Sequence, residues 1–218
     1  MQMNENNEKK VLVTGASGGI GRAIALAAAN AGYEVVAHYN NGKEKAESLK
    51  NEIEAAGGKC SLIQFNISDR ADCNSKLEQW SEENGAFWGI VLNAGICHDN
   101  AFPALSDENW DSVIHTNLDG FYNVLKPLVM PLCRKKKGRI ITIASVSGVI
   151  GNRGQVNYSA SKAGIIGATG YAGAELVRIL MNHPEVQIVW YGSKSYIDKA
   201  YCLCKSIQIT PPNQKRRS

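Results

Sequence analysis

The sequence lacks any long apolar run. Of its 218 residues, 44% are hydrophobic and 20% are charged, but no segment approaches the roughly 18 consecutive apolar residues that could cross a bilayer. The opening segment, MQMNENNEKK, also lacks the apolar centre of a secretory signal. We therefore expect a cytoplasmic protein that does not bind a membrane.

The six cysteines lack the paired CxxC spacing that zinc sites use, and their scatter does not indicate a disulfide framework. Reduced, mostly buried thiols and no bound metal are the expectation. The net charge of +4 is mild, and part of the excess lies in the terminal KRRS. This charge does not indicate binding to nucleic acid. Length and composition are those of one soluble globular domain.

A glycine-rich turn stands between a predicted strand and a predicted helix near the start. KKVLV is a short β-branched run, TGASGGIG follows it, and RAIALAAANAG has an apolar, alanine-rich helical pattern. Gly15 permits a tight turn, while Gly19 and Gly21 let the backbone approach a pyrophosphate at the helix N-terminus. The pattern indicates a dinucleotide site, and a glycine turn without a ligand is the alternative.

The second predicted strand, YEVVAHYN, ends without an acidic residue. Dinucleotide folds place an acid there to bind the ribose 2′-hydroxyl of NAD. The segment from His38 to Lys43 instead leaves room for a 2′-phosphate, which favours NADP. His38 is equally compatible with an ordinary strand position.

Tyr158 and Lys162 stand four residues apart at the start of a predicted helix. Side chains at this spacing share one helix face, with Cβ atoms about 5–6 Å apart. An ammonium close to a phenol favours the phenolate, which makes Tyr158 a candidate proton donor. Ser145 follows the apolar run RIITIA at the carboxyl end of a predicted strand, where its hydroxyl could hold a substrate carbonyl. A chance Tyr-x-x-x-Lys pair with a purely structural role is the alternative.

The combination of TGASGGIG, NAG, the asparagine of HTNLDG and a serine thirteen residues before YSASK resembles the short-chain dehydrogenase/reductases. Within that family, residues 10 to about 169 are most similar to the β-ketoacyl-acyl-carrier-protein reductases of fatty-acid biosynthesis. The resemblance implies a doubly wound parallel sheet in a Rossmann-like, three-layer α/β/α fold. It also implies NADPH-dependent reduction of a 3-oxoacyl thioester, with acyl carrier protein or another acyl thioester as substrate, and a dimer or tetramer.

The same resemblance implies the roles of individual residues. Tyr158 would protonate the substrate oxygen, and Ser145 would hydrogen-bond it. Lys162 would hold the nicotinamide ribose, and Asn117 would anchor a proton-relay water. The residues implied in cofactor binding are Gly15, Ser17, Gly18, Gly19, Ile20, Gly21, Asn40, Asn66, Ile67, Asn93, Ala94, Gly95, Tyr158 and Lys162.

Three of these positions depart from the family pattern. Gly18 stands where the family carries a basic residue, and Asn66 and Ile67 stand where it usually carries Asp and Val at the adenine. Asn66 keeps an acceptor oxygen, so we retain its role.

A long helical pattern over residues 107–137 contains Pro127 and Pro131, which predict kinks or breaks. Its apolar face resembles the dimer surface of the family. The basic run at residues 134–139 follows. It is either a solvated helix end, whose cations suit the helix dipole, or, as the resemblance implies, a docking surface for acyl carrier protein.

From Gly170 the ketoreductase pattern ends, and its Pro-Gly loop and substrate lid are not recognisable. GIIGATGYAGAELVRIL instead resembles the first strand, glycine turn and helix of N-acetyl-γ-glutamyl-phosphate reductases. The chain therefore resembles a fusion. A helix through this segment is our prediction, and a strand and turn over residues 164–173 is the alternative. VQIVWYG would then supply a sixth parallel strand.

The predicted organisation is a polar tail over residues 1–9, one NADP-binding reductase domain over residues 10–200, and a frayed tail over residues 201–218. The atypical C-terminal part leaves a second function open. The chain is either an active reductase or a catalytically impaired nucleotide-binding or dimerising fragment.

Overall fold

The computed structural model describes residues 9–135, 138–181, 187–190, 204–206 and 208–210, and from residue 170 onward it describes the backbone alone. Five parallel strands form the centre of the molecule, in the spatial order β3-β2-β1-β4-β5. They are β1 (Lys10–Val13), β2 (Glu34–Tyr39), β3 (Cys60–Gln64), β4 (Gly89–Leu92) and β5 (Arg139–Ile143). The strand order reverses between β1 and β4, which opens a crevice at their carboxyl ends.

Helices cover both faces of this sheet. They are α1 (Gly19–Asn30), α2 (Lys43–Ala55), α3 (Arg70–Asn84), α4 (Asp107–Ile114), α5 (Gly120–Lys135), α6 (Ser147–Ile150) and α7 (Val156–Met181). Successive residues of β1 point to opposite faces. Leu12 packs in a core with α3 and α5, while Val11 and Val13 pack in a second core with α1 and α2. The predicted doubly wound α/β/α fold is confirmed.

The long helical pattern is interrupted, but not at its prolines. Pro127 and Pro131 both lie inside α5. The interruption is one π-helical turn, His115–Asp119, between α4 and α5. The prediction of breaks at the prolines is therefore wrong. Asn117 in the π turn is buried, and its side chain is bonded to Ile96 in the loop after β4.

The helix α7 runs without a break through residues 164–173. The prediction of a helix is confirmed there, and the alternative of a strand and turn is excluded. The segment contains several glycines, but helix from Val156 onward already carries Tyr158 and Lys162. Within the described ranges, none of the helices combines the length and apolar character that a bilayer crossing requires.

The C-terminal strands differ from the prediction. Strand β6 (Gln187–Trp190) pairs antiparallel with β8 (Gln208–Thr210) in a separate two-stranded sheet. It is not a sixth parallel strand, because β7 (Cys204–Ser206) already occupies the free edge of β5, in antiparallel register. Strands β7 and β8 lie in the segment predicted to fray. Residues 1–8, most of the predicted N-terminal tail, and residues 211–218 lie outside the described part of the chain.

Candidate functional site

The glycine-rich turn after β1 requires glycine at two positions, at one for its backbone conformation and at the other for lack of space. Gly15 has φ +64°, a left-handed conformation that favours glycine. A Cβ on Gly21 would lie 2.2 Å from the carbonyl oxygen of Gly15, so a side chain there is excluded. Gly18 and Gly19, by contrast, face open space. The turn therefore presents bare backbone at Gly18 and Gly19.

The N-terminus of α1 opens onto that surface. Gly18 occupies the cap position, and among the described residues no side-chain cap hydrogen bond is made at this end of the helix. By contrast, Asp69 caps α3 and Ser106 caps α4. Uncapped N–H groups and the helix dipole favour an anion at the start of α1. The residues present therefore fit a dinucleotide pyrophosphate, and the predicted Ser17 and Ile20 lie in the same turn, Ile20 with 64% of its surface exposed.

The NAG segment after β4 holds the turn in place. Asn93 Nδ2 donates to the carbonyl oxygen of Thr14 at 3.0 Å, and the N–H groups of Asn93 and Ala94 donate to Thr14 Oγ1 at 2.9 and 3.0 Å. Ala94 also closely neighbours Gly15, because a Cβ on that glycine would lie 3.0 Å from Ala94 Cα. The NAG segment thus connects the end of β4 to the end of β1.

His38 lies in the interior and not at the ribose. It is 2% exposed, its Nδ1 accepts from the N–H of Gly15 at 3.1 Å, and its Nε2 donates to the carbonyl oxygen of Phe65 at 2.9 Å. Burial lowers the pKa of His38 from its ordinary 6.5 to about 4, against the opposing effects of the Phe65 bond and Asp72. Of the two alternatives left open for His38, the structure shows the ordinary strand position, and His38 itself does not leave room for a 2′-phosphate.

The end of β2 remains the side of the sheet where a 2′-phosphate would fit. Asn40, Asn41 and Lys43 are exposed, and Gly42 approaches the glycine turn closely enough that its Cβ would lie 3.0 Å from Ser17 Oγ. The segment 38–43 thus carries amides and one ammonium without an acid, and Ser17 lies beside it. The Lys43 ammonium itself lies 3.8 Å from Glu47 Oε1. This composition fits a phosphate better than a ribose hydroxyl.

The side chains of the two residues predicted to bind the adenine are engaged within the protein. Asn66 Oδ1 accepts from both the N–H and the hydroxyl of Ser68, at 3.1 and 2.8 Å. The acceptor oxygen on which the predicted role was based is therefore already engaged in a local turn. The Ile67 side chain is 6% exposed and packs in the core with α3 and α5. Either residue could then meet an adenine mainly through its backbone.

Tyr158 and Lys162 lie on one face of α7, as predicted. Lys162 Nζ lies 5.6 Å from the centre of the Tyr158 ring, and it donates to the carbonyl oxygen of Ile143 at 2.9 Å. That bond ties the ammonium to the end of β5, two residues before Ser145. Lys162 is 4% exposed, and burial lowers its pKa. Gly95 lies close to the same ammonium, since its Cβ would be 3.5 Å from Nζ.

The side chain of Asn117 connects its own π turn to the loop after β4 and to α7. Its Oδ1 accepts from the N–H of Ile96 at 2.8 Å, and its Nδ2 donates to the carbonyl oxygen of Ile96 and to Ser161 Oγ, both at 3.0 Å. Ser161 in turn donates to the carbonyl oxygen of Tyr158 at 2.8 Å. Asn117 therefore links the loop after β4 to the helix that carries Tyr158. Both amide hydrogens are engaged, so a relay water would need another of its atoms.

Ser145 begins the loop between β5 and α6. Its Oγ accepts from the N–H of Ser147 at 3.2 Å, which leaves the hydroxyl hydrogen to donate elsewhere. Gln155 crosses from this loop to the one after β4, because its Oε1 accepts from Ser147 Oγ and its Nε2 donates to Asp99 Oδ2 at 2.9 Å. The two loops that border the crevice are thus connected by side chains.

Sequence reasoning missed four residues that build this region: Thr14, Ser161, Gln155 and Asn157. Asn157 is fully buried and its Nδ2 donates to the carbonyl oxygens of His98 and Asn109, both at 3.1 Å. Thr14 lies in TGASGGIG and Ser161 in YSASK, which was the available signal for those two, while Asn157 and Gln155 stand one and three residues before YSASK.

The basic run lies at the amino end of β5, at the opposite end of that strand from Ser145. Arg134 and Lys135 end α5, and Arg139 begins β5, whereas Ser145 follows the end of that strand. Residues 136 and 137 lie outside the described residues. Lys135 Nζ donates to the carbonyl oxygen of Ala86, and Arg139 stacks 5.6 Å from the centre of the Trp88 ring.

The short chain dehydrogenase family matches residues 9–182. The NAD binding domain of the semialdehyde dehydrogenases matches residues 162–210, which confirms the change of resemblance near the C-terminus.

Three curated relatives share the name 3-oxoacyl-acyl-carrier-protein reductase FabG. The protein of Aggregatibacter actinomycetemcomitans is 54% identical over 169 residues, or 77% of this chain and 70% of the relative. That of Staphylococcus aureus strain Mu50 is 43% identical over 168 residues, covering 77% and 68%. That of Thermotoga maritima is 39% identical over 161 residues, covering 74% and 65%. With its family match running from β1 into α7, this chain belongs to the short chain dehydrogenases, a family of oxidoreductases.

Proposed function

We propose that this chain is an NADPH-dependent reductase that converts 3-oxoacyl thioesters, carried on acyl carrier protein, to their 3-hydroxyacyl forms. The observation that carries the proposal is the bond between Lys162 Nζ and the carbonyl oxygen of Ile143. It fixes the ammonium between Tyr158 and the end of β5, at the crevice that the glycine turn borders. The names of the relatives support the substrate class, and the position of Lys162 beside Tyr158 supports the proposed chemistry.

Four residues have a role in this proposal. Tyr158 gives its phenolic proton to the substrate oxygen, and Ser145 donates a hydrogen bond to the same oxygen. Lys162 binds the ribose and stabilises the phenolate that Tyr158 becomes. Asn117 keeps α7 and the loop after β4 in register, through Ser161 and Ile96. The chemistry that the bound nicotinamide supplies is hydride transfer.

NADPH is the proposed cofactor in preference to NADH. The segment Asn40 to Lys43 supports this choice, because it contains a lysine and two amides and no acidic residue, although Glu47 lies 3.8 Å from the Lys43 ammonium. A homo-oligomer is also part of the proposal. Tyr122 and Met130 on α5 are 43% and 55% exposed, which leaves apolar surface available for a second copy.

The test compares two tyrosine variants in purified protein. Tyr158→Phe removes the proposed proton donor, and we expect it to abolish reduction of acetoacetyl thioester while NADPH binding is retained. Tyr122→Phe is the matched control. Tyr122 also has a lysine four residues later, with Lys126 Nζ donating to its hydroxyl at 2.8 Å, but it lies on α5 and not at the crevice. Tyr122→Phe should keep the wild-type rate.

Three outcomes distinguish the candidate functions. A Tyr158→Phe protein that reduces substrate within about tenfold of the wild-type rate contradicts the assigned role. Tighter binding of NADH than of NADPH contradicts the cofactor assignment. Dinucleotide binding without turnover of any ketone, in the wild-type chain itself, favours the alternative of a catalytically impaired nucleotide-binding fragment.

Docking of acyl carrier protein on the basic run is a separate part of the proposal. Lys135→Glu should reduce the rate with carrier-bound substrate more than the rate with a free thioester. Lys76→Glu on the exposed face of α3 is the control for a general charge effect. Equal losses on both substrates would contradict docking at this place.

A further inference from the structure

His38 and Asn93 hold the same peptide unit of the glycine turn from opposite sides. Strand β1 lies between β2, which carries His38, and β4, which Asn93 follows. The carbonyl oxygen of Thr14 accepts from Asn93 Nδ2 at 3.0 Å, and the N–H of Gly15 donates to His38 Nδ1 at 3.1 Å. Both polar atoms of the Thr14–Gly15 peptide are thus fixed by side chains from the flanking strands.

The next peptide unit is held by the same two residues. The carbonyl oxygen of Gly15 accepts from Asn93 Nδ2 at 3.4 Å, and the N–H of Ala16 donates to the main-chain oxygen of His38 at 2.9 Å. Two consecutive peptide planes set the direction in which the chain leaves β1. They therefore set the position of Gly18 and of the N-terminus of α1, where the pyrophosphate would bind.

Only one neutral tautomer of the His38 imidazole can make both of its hydrogen bonds. The carbonyl oxygen of Phe65 accepts hydrogen bonds and cannot donate them, so Nε2 of His38 carries the proton and Nδ1 is the acceptor. The ring is 2% exposed and its centre lies 4.0 Å from that of the Phe65 ring. The bond to Phe65 therefore selects the tautomer that Gly15 requires.

We propose that His38 is a positioning residue for the dinucleotide, which through Gly15 holds the glycine turn in the conformation that receives the pyrophosphate. This inference rests on the proposed dinucleotide-dependent function. Asn93 belongs to a recognised motif, whereas His38 performs the equivalent task from the other side of β1 without a motif of its own. The affinity for NADPH, and not only the stability of the fold, should depend on the Gly15 bond.

Two amide variants distinguish the contributions of the two hydrogen bonds that the imidazole ring makes. His38→Asn places a carbonyl oxygen near the position of Nδ1, where it can accept from Gly15. His38→Gln places an amide N–H near the position of Nε2, where it can donate to Phe65 but leaves Gly15 without its acceptor. Both variants lose the same ring packing against Phe65, so each is the control for the other.

The first measurement is the dissociation constant for NADPH, titrated by fluorescence beside the melting temperature of each variant. We expect His38→Gln to weaken NADPH binding by about tenfold and His38→Asn by no more than about threefold. Both should lower the melting temperature by similar amounts. Equal weakening in both variants, in proportion to the lost stability, would overturn the proposal and leave His38 a structural residue.

The second measurement does not need the cofactor. Exchange of the Gly15 amide hydrogen in the free protein should be slow in the wild type and in His38→Asn, and fast in His38→Gln. If the wild type binds no dinucleotide, the proposed function fails, and this exchange alone decides whether His38 holds the turn. If a variant does not fold, the wild-type amide decides the question, because exchange at the rate of an exposed loop would overturn the inference.

Discussion

At the scale of single residues, His38 is a group whose ionisation state differs between the folded and the unfolded chain in mildly acidic solution. Its imidazole is neutral inside the protein, because burial lowers its pKa to about 4, while the unfolded chain protonates near 6.5. Asp72, whose Oδ2 accepts from the N–H of Asn66, is the charged group whose field opposes this effect. Protonation would also remove the acceptor that Gly15 uses.

We predict that stability falls as pH falls through the window from about 6.5 to about 4. In this window the unfolded state binds a proton that the folded state does not, so the free energy of unfolding rises with pH and is constant, for this group, above 6.5. The full difference is on the order of 3 kcal/mol. Urea denaturation at a series of pH values measures it.

His38→Asn provides the comparison, because an amide does not titrate in this range. The slope of stability against pH between 4 and 6.5 should become shallower in the variant, whatever other groups contribute. A slope that is unchanged in His38→Asn would show that the histidine is not responsible for the pH dependence.

The sequence predicted the glycine turn, because its pattern is local, but not the task of His38. Whether a strand residue faces solvent, a ligand or the interior depends on the register of its strand with its neighbours. Here β2 pairs Ala37 with Val13 and His38 with Ile63, which places the ring beside Phe65. Neither pairing is visible from YEVVAHYN alone. Asn66 illustrates the same limit, since its side chain closes a turn with Ser68.

At the scale of elements, α7 joins two family resemblances in one uninterrupted helix. The segment GIIGATGYAG resembles a strand and glycine turn of the second family, yet it continues the helix that begins at Val156. Helical glycine costs about 0.5–1 kcal/mol relative to alanine. The described contacts identify one glycine where that cost is not offset. A Cβ on Gly167 would meet no atom within 4 Å, whereas one on Gly164 would lie 3.0 Å from Leu118 Cδ1.

We predict that Gly167→Ala raises the free energy of unfolding by about 0.5–1 kcal/mol. Gly164→Ala should gain less, because Leu118 must move to admit the new methyl group. Urea midpoints at constant m-value measure both changes. Destabilisation by Gly167→Ala would indicate that this glycine occupies a turn and not a helix, and would contradict the continuous α7.

Helix periodicity predicted α4 and α5 but misplaced the interruption between them. Proline is a strong local signal for a break, and α5 nevertheless contains both Pro127 and Pro131. The π turn forms instead where Asn117 bonds to Ile96, a residue 21 positions earlier in the chain. A contact of that separation is tertiary, so no window of sequence reveals it.

At the scale of the whole molecule, the proposed functional residues all precede the point where the family resemblance changes. The glycine turn, the NAG segment, Tyr158 and Lys162 are built by β1 to β5 and the first turns of α7. The loop and lid that ketoreductases place beside the nicotinamide would follow that point, and the sequence shows neither. The family resemblance implied the parallel sheet, whereas nothing in the sequence predicted the antiparallel β7.

We predict that dinucleotide binding is retained better than catalysis in the chain as it stands. NADPH should bind measurably, while the turnover of acetoacetyl thioester should be slow. Replacing the residues after Thr169 with a ketoreductase C-terminus should raise turnover on the order of tenfold or more, because it restores the groups that position the nicotinamide and substrate. The same graft carrying Tyr158→Phe is the control and should be inactive. A native chain that already turns over as fast as the graft would contradict this prediction.

The hold of His38 and Asn93 on the glycine turn also has a consequence for synthesis. His38 Nδ1 reaches back 23 residues to Gly15, and Asn93 Nδ2 reaches back 79 residues to Thr14. A ribosome adds about 5–20 residues per second, so Asn93 is synthesised roughly 4–16 seconds after the glycine turn. Until then the nascent chain carries the phosphate-binding motif without its final shape. We therefore expect the dinucleotide to bind after the three central strands have assembled, and not to guide their assembly.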